Sequence, residues 1–472
     1  MIITTTNRVT AAAVAVLASW SATFAQTAPT DSLTLTLDQC LAIALDSNPT
    51  IKIADIEITR VDYDKKSTIG KLFPTISFDG NYGRTLAKQT MYMSFSGMGG
   101  MGGGSSEGSD DNSESPKPSS SGDGGIKVGL DNTYSVGFSA GLPLIAPQLW
   151  ASLKLSDTQI LESVEKARQS RLSLANQVKA AYYTLIFAED SRRVIQQNYE
   201  MAAYTARQYK LRYELTGTAS EFDTLRTAVA MRNIEPQITQ ADIAVRQARL
   251  QLNILMGIDA ATTVKTPVSL EELESSLAEK LLSLDLGLEN NTDLKLLDIQ
   301  SLQLKQATKI AKLAFVPTLS LAFNYNWTSM SNGTPFKDLR WNPYSQIGLS
   351  LSVPLFQGGQ RYNAVKQSQI QQQQLAWQRD YLKQSLTSQV DISLKNIQLN
   401  LKQIGSCALN VEQASEAYRI SRESFDLGAA TYLDLRDSEL ALTQAKLARL
   451  QAIYNYLVAF SELEYLVGNE SK

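Results

Sequence analysis

Any chemistry in this chain has to be done without histidine. None occurs among its 472 residues, which removes imidazole acid–base catalysis, Ser-His nucleophiles and His-ligated metals together. Four groups of residues remain to be weighed. Asp434 and Asp437, three apart, share one helical face, and carboxylates in a first turn stabilise the N-terminus of any helix. Met91, Met93, Met98 and Met101 form a thioether-rich cluster of the kind that holds Cu(I) or Ag(I). They sit in a Gly/Ser/Met-rich tract with nothing to bury, which reads as a disordered extracellular loop. Gly97, Gly99 and Gly102 spell G-x-G-x-x-G, but polar, serine-rich sequence follows where a phosphate fingerprint needs a helix. Cys40 and Cys407 lie far apart in helical contexts and read as buried small residues rather than a disulfide. No catalytic residue, no metal site and no cofactor emerges.

Charge narrows the partners. Lys+Arg 44 against Asp+Glu 47 leaves no basic excess, so nucleic acid is excluded as a partner. The N-terminus has the order of an export signal: Arg8, an apolar run from Ala11 to Trp20, and Thr23-Phe24-Ala25 before Gln26. That run is too short to span a bilayer, and no later stretch reaches ~18 uninterrupted apolar residues. No cysteine follows the cleavage point to carry a lipid anchor. The mature chain is expected outside the cytoplasm, without helical membrane spans.

The elements that position these residues are duplicated. From Tyr418 to Asp437 helical periodicity breaks only at Gly428, a helix-ending glycine, and Thr431 stands where an oxygen could cap a new helix. Two long helices therefore fold back at a tight tip, and the same tip recurs around Gly217. Asn48 with Asn291 and Pro74 with Pro317 repeat at an offset of 243. Gly137 with Gly348, Gly217 with Gly428, Asp223 with Asp434 and Gly257 with Gly468 repeat at 211. The difference falls at the Gly/Ser/Met-rich tract. A register held this far marks structural duplication.

Each half also carries two stretches of period two. Ile76, Phe78 and Tyr82 alternate with polar residues, as do Tyr134, Val136, Phe138, Ala140 and Leu142 before Pro143 and Pro147 close the strand. Leu319 to Trp327 and Ile347 to Val353 alternate likewise. About ten residues with one greasy and one small, polar face suit a tilted strand crossing a bilayer. A soluble sandwich would instead pack that face on a second sheet. Four strands cannot close a barrel, and open edges are forbidden in lipid, so several chains would have to contribute.

The helices are long. Gln148 to Leu215 runs unbroken by glycine or proline, about 100 Å at the usual rise. Leu433, Leu440, Leu447 and Tyr454 recur every seven residues, matched by Phe222, Val229, Ile243 and Leu250, which predicts a coiled-coil seam. Pro236 predicts a kink, so that the two hairpins bend differently and could open. Both strand pairs are entered from and left into helices. All helices therefore belong on one side of the membrane, and the loops Lys88–Asp131 and Ser329–Trp341 on the other.

The expected fold is mainly α with a transmembrane β part, a duplicated helix–strand–strand–helix repeat. Its divisions are a signal peptide (1–25), a segment with the first helices (26–73), and the first strand pair (74–146) containing the extracellular loop (94–125). The first helical hairpin (147–257), an equatorial linker (258–290), a helix (291–316) and the second strand pair (317–356) follow. The second hairpin (357–468) and a short tail (469–472) complete the chain.

LTLDQCLAIALDSNPTIK near the start, the paired PTISF and PTLSL, SVPLFQGGQR after the fourth strand and FDLGAATYLDLRDSELAL at the second tip resemble the TolC-like outer-membrane efflux proteins, over essentially the whole mature chain. The resemblance implies a homotrimer with a shared twelve-strand β-barrel in outer-membrane lipid and a long periplasmic α-helical coiled-coil barrel. It also implies a passive exit duct for small molecules or proteins, coupled to a periplasmic adaptor and an inner-membrane pump. Asp434 and Asp437 match the acids that narrow the periplasmic end in the family, where three copies would make a cation-favouring ring. The tips Thr216, Gly217, Thr218 and Leu427, Gly428, Ala429 match the adaptor-docking positions. Ala430 stands where relatives often carry a basic residue, which removes a salt-bridge latch there. The competing reading is a periplasmic coiled-coil scaffold with a β-sandwich head and no pore.

Overall fold

The computed structural model describes residues 32–91, 126–217, 219–274, 286–337 and 339–469. The signal segment, the loop 94–125 with its methionines, and Thr218 lie outside the described residues. The described chain divides into two compact units, a helical one (1–62, 158–303, 371–472) and one built on a sheet (63–157, 304–370).

After β1 (Ser32–Thr34) of the helical unit, the sheet unit contains β2 (Thr75–Arg84), β5 (Asn132–Ile145), β7 (Thr318–Ser331) and β8 (Asn342–Ser352), with short β3 (Gln89–Met91) and β4 (Ile126–Val128) between the first two. The four long strands form one antiparallel sheet in the order β2-β5-β7-β8. Its register sets Ile76, Ala140, Phe323 and Ile347 in one row, and Ser77, Ser139, Asn324 and Gln346 in the next. These rows keep a greasy and a polar face apart. Ile76, Phe78, Ile347, Leu349 and Leu351 are exposed, and no second sheet or helix covers that face among the described residues. Among the described residues the sandwich head therefore has no second layer.

Pro143 does not end its strand. β5 continues to Ile145 with a register shift, because its pairing to β2 stops at Gly141 and the missing N–H falls on a free edge. Gly137 is required by close approach: an added Cβ would meet the Asn326 amide and lie 2.6 Å from the Tyr325 carbonyl oxygen.

The helical unit begins with α1 (Leu37–Ser47), whose Thr36 and Gln39 form a reciprocal capping box, and α2 (Pro49–Gly70) opens on proline. The first hairpin consists of α3 (Pro147–Leu211), a π-helical turn (Arg212–Thr216), α4 (Glu221–Arg232) and α5 (Glu235–Met256). Pro236 is more than a kink. The helix stops at Arg232, turns through Asn233 and the buried Ile234, and restarts with proline in its first turn. After β6 (Thr263–Lys265), α6 (Leu270–Glu274) and α7 (Thr292–Leu313), the second hairpin is α8 (Gln360–Asp426) and an unbroken α9 (Tyr432–Val467). Parallel pairing of β1 with β6 closes a small belt.

One core joins these helices through Val178, Leu185, Leu252, Met256, Ile397, Ile453 and Leu463, with Cys40 and Cys407 as free buried thiols. The buried seven-residue repeat of α9 is Leu435, Leu442, Tyr456 and Leu463, with Tyr432, Glu439, Ile453 and Phe460 beside it. The expected seam, which also runs through Leu450 and Leu457, holds in the body of the helix, where both are buried and Tyr454 packs on the core, and is displaced by two positions towards the tip. Leu433 and Leu440, 49% and 42% exposed, lie outside the buried packing, as do Phe222, Val229 and Ile243 of the first hairpin. Near the tip the helix carries two apolar stripes, and packing within one chain uses the one through Leu435 and Leu442.

Each hairpin is also fastened at its far end, by the same device in both halves. Asn48 Nδ2 donates to Leu255 O at 2.7 Å, and Asn291 Nδ2 to Leu466 O at 2.7 Å. Gly257 and Gly468, both with left-handed φ, end the helices against the backbone preceding those asparagines.

Candidate tip and constriction

The hairpin tips follow from helix-end chemistry. At Gly428, φ +77°, the chain leaves α8 through Ala429 N–H donating to Ser424 O at 2.8 Å. Thr431 then caps α9. Its Oγ1 accepts from Asp434 N–H, while Asp434 Oδ2 accepts from Thr431 N–H at 3.0 Å and from the Thr431 hydroxyl at 2.6 Å. The first tip repeats this, with Gly217 at φ +63° and Ser220 Oγ accepting from Asp223 N–H at 3.0 Å. Asp434 is therefore a capping residue in this geometry. Thr431's hydrogen bonds hold its carboxyl below the usual carboxylate range.

Asp437 is exposed one turn further on, with no hydrogen bond or ion pair among the described residues. Gly217, Leu427, Gly428 and Ala429 are exposed at the two tips, and Thr216 ends the π-helical turn. Thr431→Ala should destabilise the start of α9 by about 1 kcal/mol and raise the Asp434 titration midpoint. Hydrogen exchange at residues 432–436 and NMR titration of the carboxyl measure both.

Inside the tips an aromatic cluster packs the two hairpins together. The Tyr209 ring lies 5.7 Å from both Phe425 and Tyr432, with Leu435 completing the cluster. Arginines cover its rim: Arg212 over Phe425, Arg226 over Tyr432, and Arg422 over Tyr204.

Sequence reasoning missed Glu439. Only 2% exposed, it occupies the buried repeat two residues beyond Asp437. Burial pushes its carboxyl up to about 7, against opposing pulls from Arg436, Arg422 and the Thr205 hydroxyl. Arg436 Nη1 stands 3.8 Å away, an ion pair too long for a hydrogen bond. The signal was a glutamate in the series Tyr432, Glu439, Ile453, Phe460, legible only once the buried stripe is known.

Comparison with known proteins agrees with this architecture. The family described as outer membrane efflux protein matches residues 40–258 and 284–469. The pyoverdine export outer membrane protein OpmQ of Pseudomonas aeruginosa is 24% identical over 352 residues, 70% of this chain and 71% of that protein. The alkaline protease secretion protein AprF of the same species is 24% identical over 349 residues, 71% of this chain and 70% of its own. The crystal structure of the outer membrane protein VceC from Vibrio cholerae superposes with a TM-score of 0.66 at 15% identity, covering 92% of this chain and 96% of that one. Together with the capped, duplicated tips and the single amphipathic sheet, these matches place the chain in the outer membrane efflux protein family, as an outer-membrane transport protein and not an enzyme.

Proposed function

We propose that three copies of this chain form a passive exit duct, each giving four strands to a twelve-strand barrel and its helices to a periplasmic tunnel. The observation that carries this reading is the sheet. Among the described residues no second sheet or helix covers its greasy face, and its edge strands β2 and β8 are exposed almost throughout. In lipid such edges need partners, and four strands are too few to close on themselves. The second apolar stripe, Leu433 and Leu440 with Phe222 and Val229, gives neighbouring helices something to bury.

Around the threefold axis, Asp434 and Asp437 would form the constriction. Capping does not remove the charge of Asp434; it holds the carboxylate ionised at a fixed place. The tips Thr216, Gly217, Thr218, Leu427, Gly428 and Ala429 are the surface for a periplasmic adaptor linking the duct to an inner-membrane pump. Relatives named for pyoverdine export and for protease secretion support cargo ranging from small molecules to proteins.

Conductance in planar bilayers tests the gate. Asp434→Asn/Asp437→Asn should lower the cation-to-anion permeability ratio roughly two- to fivefold, the size of screened charge interactions of about 0.5–1 kcal/mol. An unchanged reversal potential would remove the ring and leave the fold standing.

A further inference from the structure

At the strand ends away from the helix junctions, the loop after β7 folds back over the apolar face of the sheet. Register sets Tyr82 opposite Tyr134, and Tyr134 opposite Ser329, on that face. The Phe336 ring lies 5.6 Å from Tyr82 and 5.1 Å from Tyr134, whose own rings stack at 4.9 Å. Tyr134 is thereby buried, while Phe336 itself is left 70% exposed.

Phe336 has φ +63°, the sole positive value at a described non-glycine residue. That conformation is sterically disfavoured for a phenylalanine. It is held by Phe336 N–H donating to the Tyr134 hydroxyl at 2.8 Å. Behind it the loop is stapled twice. Gly333 N–H donates to Asp131 Oδ2 at 3.0 Å, and Asn132 Nδ2 donates to Gly333 O at 3.1 Å. A strained, fastened backbone that presents a large apolar ring outward needs a medium for that ring.

Two cations flank it. Arg84 follows Tyr82 on the same face of β2 and is exposed; its distant counter-charge, Asp131, is already held by Lys88 at 3.0 Å. Lys337 is exposed and makes no hydrogen bond or ion pair among the described residues. Asp338 follows it in sequence. Aromatic rings at the headgroup level with basic groups just beyond them fit a lipid surface.

We propose that Phe336 is an interfacial anchor, seated at the acyl–headgroup boundary of the outer leaflet, with Arg84 and Lys337 engaging phosphate-bearing lipid headgroups. This rests on reading the sheet's apolar face as the lipid face, and the test separates the two. Nitroxide labels are placed on the full chain in lipid nanodiscs at Phe336→Cys and, independently, at Lys337→Cys and mid-strand Leu349→Cys; the native thiols are buried. The labels at 336 and 349 should favour oxygen over a water-soluble nickel chelate, and the label at 337 should lie at the boundary. A label at 349 in lipid with 336 and 337 in water overturns the anchor alone. A label at 349 in water overturns the lipid face itself.

For the cations, lipid bound from mixed phosphatidylcholine–phosphatidylglycerol nanodiscs is counted by native mass spectrometry. Arg84→Gln/Lys337→Gln should lose phosphatidylglycerol enrichment by roughly fivefold per cation removed. Equal enrichment in variant and wild type overturns the phosphate contact.

Discussion

Gly468→Ala is expected to leave little assembled protein in the outer membrane, whereas Gly428→Ala should assemble nearly as the wild type does. Both glycines hold left-handed φ, +71° and +77°, at the C-terminal ends of long helices. Alanine in that conformation costs about 1–2 kcal/mol at either site. What differs is the space. At Gly428 a Cβ meets nothing within 4 Å. At Gly468 it would strike the Asn290 carbonyl, with the carbonyl carbon at 2.6 Å and Asn291 N at 3.1 Å.

These are backbone atoms, fixed on both sides. Arg168 Nη2 donates to both Asn290 O and Gly468 O at 3.1 Å, and Asn291 Nδ2 holds Leu466 O. Overpacking against an immobile backbone adds to the strain, for a total of roughly 2–5 kcal/mol, a large part of a typical domain's stability. Gly257→Ala should fall between the two, since its Cβ would approach Ser47 O to 3.0 Å. Folded protein recovered from outer-membrane fractions ranks the three. Equal losses at 428 and 468 would mean that the junction does not matter.

The second large effect concerns pH. Glu439 has its carboxyl raised to about 7 in the packed hairpins, while an unfolded chain ionises it near the ordinary 4.5. Below both values the proton is bound in either state, and the packing keeps its full stability. As pH rises from about 4.5 to 7 the unfolded state releases the proton first, so stability falls, by up to roughly 3 kcal/mol. Above 7 it levels off.

The groups facing this carboxyl are Arg436 and Tyr432 on its own helix, Arg422 and Tyr418 on α8, and Thr205 on α3. Hydrogen exchange in residues 432–443 should therefore accelerate from pH 5 to pH 8 beyond the intrinsic chemical rate, and Glu439→Gln should abolish the excess. An excess that survives in Glu439→Gln would place the titration elsewhere.

Much of this architecture was legible because the chain states it twice. Asn48 and Gly257 are far apart in sequence, as are Asn291 and Gly468, yet each residue has its repeat, one at the first offset and one at the second, and the two pairs prove to be one junction built twice. The strand faces were legible from alternation, since a side chain's face depends only on its parity along the strand. The cap at Thr431 needed only local chemistry.

The errors arose where tertiary packing chooses between local options. α9 has an apolar stripe through Leu433 and another through Leu435; periodicity identifies both, and only the neighbouring helices select the second for the protomer core. Local pattern makes Pro143 a strand end, because its edge position depends on how far β2 extends. Pro236 marks the interruption from sequence alone, and only its depth escapes, because the burial of Ile234, which anchors the break, is not a local property. Glu439 escaped for the same reason as the seam: in a solvated stripe it would be an ordinary carboxylate.

Native mass spectrometry of the full protein, extracted intact from outer membranes in mild detergent, bears most directly on the shared barrel. Three chains per particle, persisting when detergent is diluted, is the expected result. A stable particle of one chain would show that the open sheet finds its partners some other way, and would remove the duct.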